Sequence, residues 1–267
     1  MPLMAVGAME SGIRRLYHYE KFEAGNLEDT PVNQRVHFSN PKNFNDPWDC
    51  YPCFDTTRVA DPGCRARCIR EALQLSPAQP ERYEAKLQGD KKLFAEVLQT
   101  EFRDAVRNVI IKRWRIYCLT PHSDNRLMWS HYSDKHRGIC LEFDAGEAVI
   151  GGAYQVAYSD APPALDILAI SDPSVFQILV TKSPDWCYEN EYRILARDGV
   201  ADDVPPQFLP ITDKDFLLPP PHALTAIIAG CRANIDKIKA LVQKHAPGLP
   251  VKQAVQAPDR YSLSIKD

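Results

Sequence analysis

The chain has 267 residues, long for one domain and short for two, since single domains run ~100 to 200 residues and α/β folds often exceed that. Its composition, 45% hydrophobic and 25% charged, supplies a large core and excludes a disordered chain. A net charge of -3 argues against a protein held to nucleic acid or an anionic membrane mainly by its overall field, so any nucleic-acid partner must be met by a local patch.

No apolar run approaches the ~20 residues needed to span a bilayer. The N-terminal MPLMAVGAMESGIRR places its arginines after a short apolar segment broken by Gly7 and Glu10, which is not the order of a secretory signal. A cytoplasmic protein with no membrane partner is the expectation, and its eight cysteines would be reduced. Four of them, Cys50, Cys53, Cys64 and Cys68, form C-x2-C-x10-C-x3-C, a spacing that a zinc site permits but does not require. No metal is expected there.

Leu16 to Tyr19 reads as an opening strand and Arg35 to Phe38 as a second, followed by a structured Asn/Asp/Pro loop from Ser39 to Pro47. Helical patterning begins at Asp61, is interrupted at Pro77 and Pro80, and resumes from about Lys91 to Trp114. In that last run Phe94, Val97, Leu98, Phe102, Ala105, Val106 and Val109 fall on one stripe. Strands are expected at Ile116 to Leu119, Ile139 to Phe143, Tyr154 to Tyr158, Glu191 to Ala196, Gln207 to Ile211 and Leu224 to Ala229. Val251 to Val255 and Tyr261 to Ile265 read as edge strands. Further helices are expected from Asp124, as N-cap, to His136, from Pro173 to Lys182, and from Ile235 to His245. Strands dispersed among helices without a regular βαβ repeat predict an α+β fold: a mixed, mainly antiparallel sheet in a single domain, 1–267, with a helical insertion at about 61–114. The proline clusters at 162–163, 205–206 and 219–221 are short enough for ordinary loops.

Three segments concentrate functional residue types. In Tyr17-His18-Tyr19, strand alternation sends His18 to one face and both tyrosines to the other. In Met128-Trp129-Ser130-His131-Tyr132, the methionine and tryptophan read as core, and Tyr132 keeps a polar handle. His131 and His136 are five apart, which rules out a helical H-x3-H zinc clamp. In Tyr188-Glu189-Asn190-Glu191-Tyr192-Arg193, two acids two residues apart can serve a ribose hydroxyl and a developing positive charge, or Glu191 can simply pair with Arg193 on a strand surface. No nucleophile elbow, P-loop or dinucleotide glycine fingerprint is present.

Together, Leu16-Tyr17-His18-Tyr19, Phe38-Ser39-Asn40-Pro41, Phe44-Asn45-Asp46-Pro47-Trp48-Asp49, Met128 to Tyr132, His136 to Phe143, Lys182, Trp186 and Tyr188 to Ile194 resemble the bacterial domain of unknown function 2971 family. More distantly, the order of His18, then Tyr132 or Ser39, then Glu189-Asn190-Glu191 is similar to ADP-ribosyltransferases. That resemblance implies an ADP-ribosyltransferase-like fold and an NAD-using transferase or glycohydrolase, in the setting of a toxin or phage-defence effector. It also implies roles. NAD would be co-substrate; His18 would meet the nicotinamide-side ribose, and Tyr132 would stack on nicotinamide, with Tyr17 and Ser39 in the cofactor-binding set. Glu191 would hold the ribose 2′-hydroxyl, and Glu189 would face a macromolecular or small-molecule acceptor. On this scheme His18, Tyr132 and Glu191 converge on one cleft. The competing classes are a nucleic-acid-acting or metal-dependent enzyme and a non-catalytic binding or regulatory module.

Overall fold

This computed structural model describes residues 7–23, 35–75, 81–198, 208–211, 216–217 and 222–267. Pro77, Pro80, Gln207 and the clusters at 205–206 and 219–221 lie outside them. In chain order the strands are β1 (Arg15–Glu20), β2 (Val36–His37), β3 (Cys53–Phe54), β4 (Trp114–Leu119), β5 (Ile139–Asp144), β6 (Tyr154–Gln155), β7 (Ala157–Tyr158), β8 (Ala164–Leu165), β9 (Thr181–Lys182), β10 (Tyr192–Arg197), β11 (Leu209–Pro210), β12 (Phe216–Leu217), β13 (Leu224–Ala229), β14 (Val251–Gln256) and β15 (Leu263–Lys266). Helices are mixed with mainly antiparallel strands, which makes the fold α+β. The chain divides into two compact units, one of residues 1–39, 115–156 and 185–267, the other of 40–114 and 157–184.

The first unit is built on a five-stranded sheet in the order β1-β5-β13-β14-β15. All its pairs are antiparallel except β13 and β14. The crossover between those two runs through the helix Ile235–His245, as a parallel pair requires. Asn234 caps that helix by accepting from Lys237 N, and Ile238 and Val242 enter the core. β14 is therefore an inner strand, paired on both sides, and of the two expected edge strands only β15 is one. β5 is paired on both sides and packed on both faces: Ile139 to Phe143 are all buried, and the two faces feed two clusters. Leu16, Phe38, Tyr117, Leu141, Phe143, Tyr192 and Ile194 belong to one. Tyr19, Met128, Trp129, Cys140 and Ile228 form the other, against which Tyr17, Tyr132 and Tyr188 pack. A smaller sheet, β11-β10-β4 with β6 on β10, joins β1 through the bridge between Tyr17 and Thr120.

The expected helix from Asp124 to His136 is shorter, Arg126–His131. Asn125, not Asp124, is its N-cap, and Asp134, Lys135 and His136 follow in left-handed conformations (φ 43°, 55° and 69°). That turn brings His136 back over Trp129, with ring centroids 6.4 Å apart. The chain passes so close to itself here that position 230 must be glycine, because a Cβ would lie 2.2 Å from the His136 carbonyl oxygen.

In the second unit the long helical run from Lys91 ends at Arg113, and its middle, Leu98–Phe102, is a π turn. The wider turn keeps Phe94, Leu98, Phe102, Val106 and Ile110 in register at steps of four and rotates Val109, expected on the buried stripe, to 50% exposure. The two-stranded pairs β3-β8 and β7-β9 complete the unit. Among the described residues no helix is long and apolar enough to cross a membrane.

Gly230→Ala is expected to lower stability by about 3 kcal/mol through the forced shift of the 134–138 turn. Its thermal unfolding midpoint, compared with that of an alanine substitution at exposed Gly89, checks this.

Candidate functional site

Alternation along β1 separates the candidates. Leu16 and His18 share one face, Tyr17 and Tyr19 the other. The His18 ring stacks on Tyr117 at 4.3 Å between centroids, and its Nδ1 lies 2.7 Å from the Cys118 carbonyl oxygen. A carbonyl only accepts, so Nδ1 carries the proton. Burial lowers the imidazole to about 4, a shift opposed by that hydrogen bond and aided by nearby His37. His18 is thus a neutral, packed ring on the far face of β1 from Tyr132, and the expected convergence of the two is not what this strand produces.

Tyr132 meets Glu189 instead. Its hydroxyl donates to Glu189 Oε1 at 2.5 Å. The phenol stands at the C-cap of Arg126–His131, and the acid closes the 3-10 turn Pro184–Glu189, with 2% of its surface exposed. Tyr17 packs into the same cluster, and burial followed by the charge of Glu142 raises its hydroxyl above the ordinary phenol range. Glu142 pairs across from Tyr17 in β5, and Lys252 and Thr225 hold its carboxylate. Trp186, Tyr188, His131 and Tyr132 form a chain of half-buried or exposed rings with centroids 6.1 to 6.4 Å apart. Ser39 bridges to Ile116, four residues and about 13 Å along β4 from the Thr120 to which Tyr17 is bridged.

The two acids of Glu189-Asn190-Glu191 do not share a strand face. Asn190 takes a left-handed φ of 43°, which ends the 3-10 turn and redirects the chain into β10. Glu191 is 3% exposed and receives Arg193 Nε at 2.7 Å and an Arg193 terminal nitrogen at 3.0 Å. Arg193 has no exposure at all. The pairing weighed from the sequence as a strand-surface contact is present, but as a buried, bidentate ion pair.

What holds the acid turn was not visible from motif spacing. Thr120 Oγ1 donates to the Glu189 carbonyl at 2.7 Å, and Asn125 Nδ2 to the Tyr188 carbonyl at 2.6 Å. Asn190 Nδ2 lies 3.2 Å from His122 Nε2, and the His122 carbonyl accepts from the Tyr19 hydroxyl. The string Thr120-Pro121-His122-Ser123-Asp124-Asn125 reads in sequence only as a polar connection between a strand and a helix. Its one signal is a run of three adjacent residues competent to cap, Ser123, Asp124 and Asn125.

In the second unit the cysteines are all free thiols. Cys50 lies in a loop at a left-handed φ of 55°, Cys53 is in β3, and Cys64 and Cys68 are on the helix Pro62–Leu75. Among the described residues no group of three or more His, Cys, Asp or Glu side chains is placed to hold a metal ion. Lys182 and Asp49, both in segments quoted for the family resemblance, form a buried pair at 3.7 Å.

Residues 128–194 match the family model described as Protein of unknown function (DUF2971). The match supports that resemblance over the segment from Met128 to Ile194, which contains Tyr132, Glu189, Glu191 and Arg193 and leaves out His18. No curated protein and no solved structure matches the chain.

Two expectations follow from these placements. Glu191→Gln should lower stability by about 3 to 5 kcal/mol, the usual cost of stranding one partner of a buried ion pair, as read by denaturant unfolding. Glu20, on the His18 face, has a buried Oε1 without a hydrogen-bond partner among the described residues, and burial, then Glu23, raises its carboxyl to about 7. A raised folded value means that its contribution is complete below the ordinary carboxyl value of 4.5 and is lost as pH rises through about 7. Glu20→Gln should therefore be more stable than the parent at pH 8, with the advantage disappearing toward pH 4 in paired melting curves.

Proposed function

We propose that the protein is an NAD-using ADP-ribosyltransferase-like enzyme in which Glu189, oriented by Tyr132, is the acid that meets the reacting ribose. The observation that carries this reading is the 2.5 Å hydrogen bond between two side chains 57 positions apart, inside the matched segment and beside Tyr17 and Tyr188. Tyr132 engages Oε1 and fixes the orientation of the carboxylate. Its negative charge can then stabilise an oxocarbenium ion as the ribose C1′ to nicotinamide bond breaks, the bonding pair leaving with neutral nicotinamide. An acceptor oxygen or nitrogen, or water, then bonds to C1′ and releases its proton to solvent. The neighbouring phenol rings offer stacking surface for a flat heterocycle. Glu191, which the resemblance made the ribose-binding acid, serves in this reading to anchor β10 through Arg193. The biological setting that goes with it is a toxin or phage-defence effector.

One observation favours a second reading, a non-catalytic binding module: both acids of the turn are partnered and almost fully buried. The two readings part on turnover. Purified protein with NAD and a cell lysate should release nicotinamide, and Glu189→Gln should reduce that rate ~100- to 1000-fold while keeping an acceptor oxygen for Tyr132. Saturable NAD binding without nicotinamide release, unchanged in the variant, would support the module.

A further inference from the structure

Asn125 makes two sets of contacts that belong to different elements. Its Oδ1 accepts from Leu127 N at 3.0 Å and Met128 N at 3.3 Å, capping the helix whose C-cap is Tyr132. Its Nδ2 donates to the carbonyl of Tyr188, the residue before Glu189. The partners fix the orientation of the amide, because backbone N–H groups only donate and a carbonyl only accepts. Aspartate caps a helix as well as asparagine does, so the cap alone does not call for an amide here. The amide nitrogen is needed for the turn.

We infer that Asn125 is a positioning residue that joins the helix carrying Tyr132 to the turn carrying Glu189, and so sets the Tyr132 to Glu189 contact. This rests on the reading of that contact as the acid site, though the geometry can be tested without it. Thr120 holds the Glu189 carbonyl to the end of β4. Asn125 ties the neighbouring carbonyl to the helix, so one side chain links the element that carries the phenol directly to the turn that carries the carboxylate. All three of its bonds run to backbone atoms, which leaves the chemistry of the site to Tyr132 and Glu189.

Two variants of the full chain separate the cap from the tie. Asn125→Asp and Asn125→Ser both keep an oxygen for the cap; the aspartate carboxylate has no proton to donate to the Tyr188 carbonyl, and the serine hydroxyl ends one bond short of the position of the amide nitrogen. The readout is the Tyr132 hydroxyl proton, which a short bond to a carboxylate moves far downfield in the proton NMR spectrum and protects from exchange. The resonance is assigned by its absence from Tyr132→Phe. Both variants are expected to lose it or shift it upfield, with the helix content in circular dichroism unchanged. A resonance at the parent position in both variants overturns the inference, and so does a parent spectrum with no Tyr132-dependent downfield proton. Loss in Asn125→Asp alone assigns the effect to the added charge and overturns it too. If both variants lose the signal and the parent releases no nicotinamide from NAD, Asn125 keeps its positioning role and the transferase reading falls. If the parent does release nicotinamide, Asn125→Ser should lower kcat by ~100-fold with a smaller change in KM, the usual cost of a misplaced reacting group.

Discussion

A guanidinium with no exposure to water constrains everything around it. Arg193 lies on β10, opposite in alternation to Tyr192 and Ile194, which enter the main core of the first unit. Such a charge is tolerated only where its donors are met, and Glu191 supplies a bidentate carboxylate from two residues away. To deliver that carboxylate the chain must leave the 3-10 turn and bend at Asn190 just before the strand begins. The bend separates the two acids: one is committed to the strand, and the other faces the aromatic cluster.

The cluster is organised by a different part of the chain from the one that supplies the Tyr132 to Glu189 pair. Tyr132 and Glu189 come from the matched segment, while Thr120, His122 and Asn125 precede it and act on backbone carbonyls or on the bend residue. Side chains that grip backbone keep their role when the residue they grip changes identity. Around this cluster the family match and the grip on the turn's backbone therefore fall on different residues.

Periodicity made the framework legible. β1 and the helix Ile235–His245 follow from alternation or from three- and four-residue steps, because a single buried face writes itself into the sequence, whereas β5 and β13 read as short apolar runs buried on both faces. The π turn did not, since its wider winding depends on packing, and Val109 changes sides because of it. Asn125 and Asp124 are equally good caps by type, and the choice between them rests on a carbonyl from a residue far along the chain. For the site, residue types were legible and all but one of the partnerships were not. Alternation split His18 from Tyr17 correctly, but only the third dimension shows that Tyr132 packs on the tyrosine side. The pairing of Glu191 with Arg193 could be read from spacing, whereas its burial could not, because two polar residues on a short strand look the same in a core as on a surface.

The position of β5 between β1 and β13 has a consequence for synthesis of the chain. When β5 leaves the ribosome, β1 is already present to pair with one of its edges, but β13 and β14 have yet to be made. For that interval Ile139-Cys140-Leu141-Glu142-Phe143 presents an unpaired, strongly apolar edge, the kind that other nascent chains can extend. Glu142 is the charge in the middle of it, and a carboxylate there disfavours stacking of like strands. Later the same carboxylate would be a burden in a finished sheet. Thr225 of β13 and then Lys252 of β14 arrive to bind it, so the residue that keeps the growing edge apart becomes the one that fastens the completed sheet together.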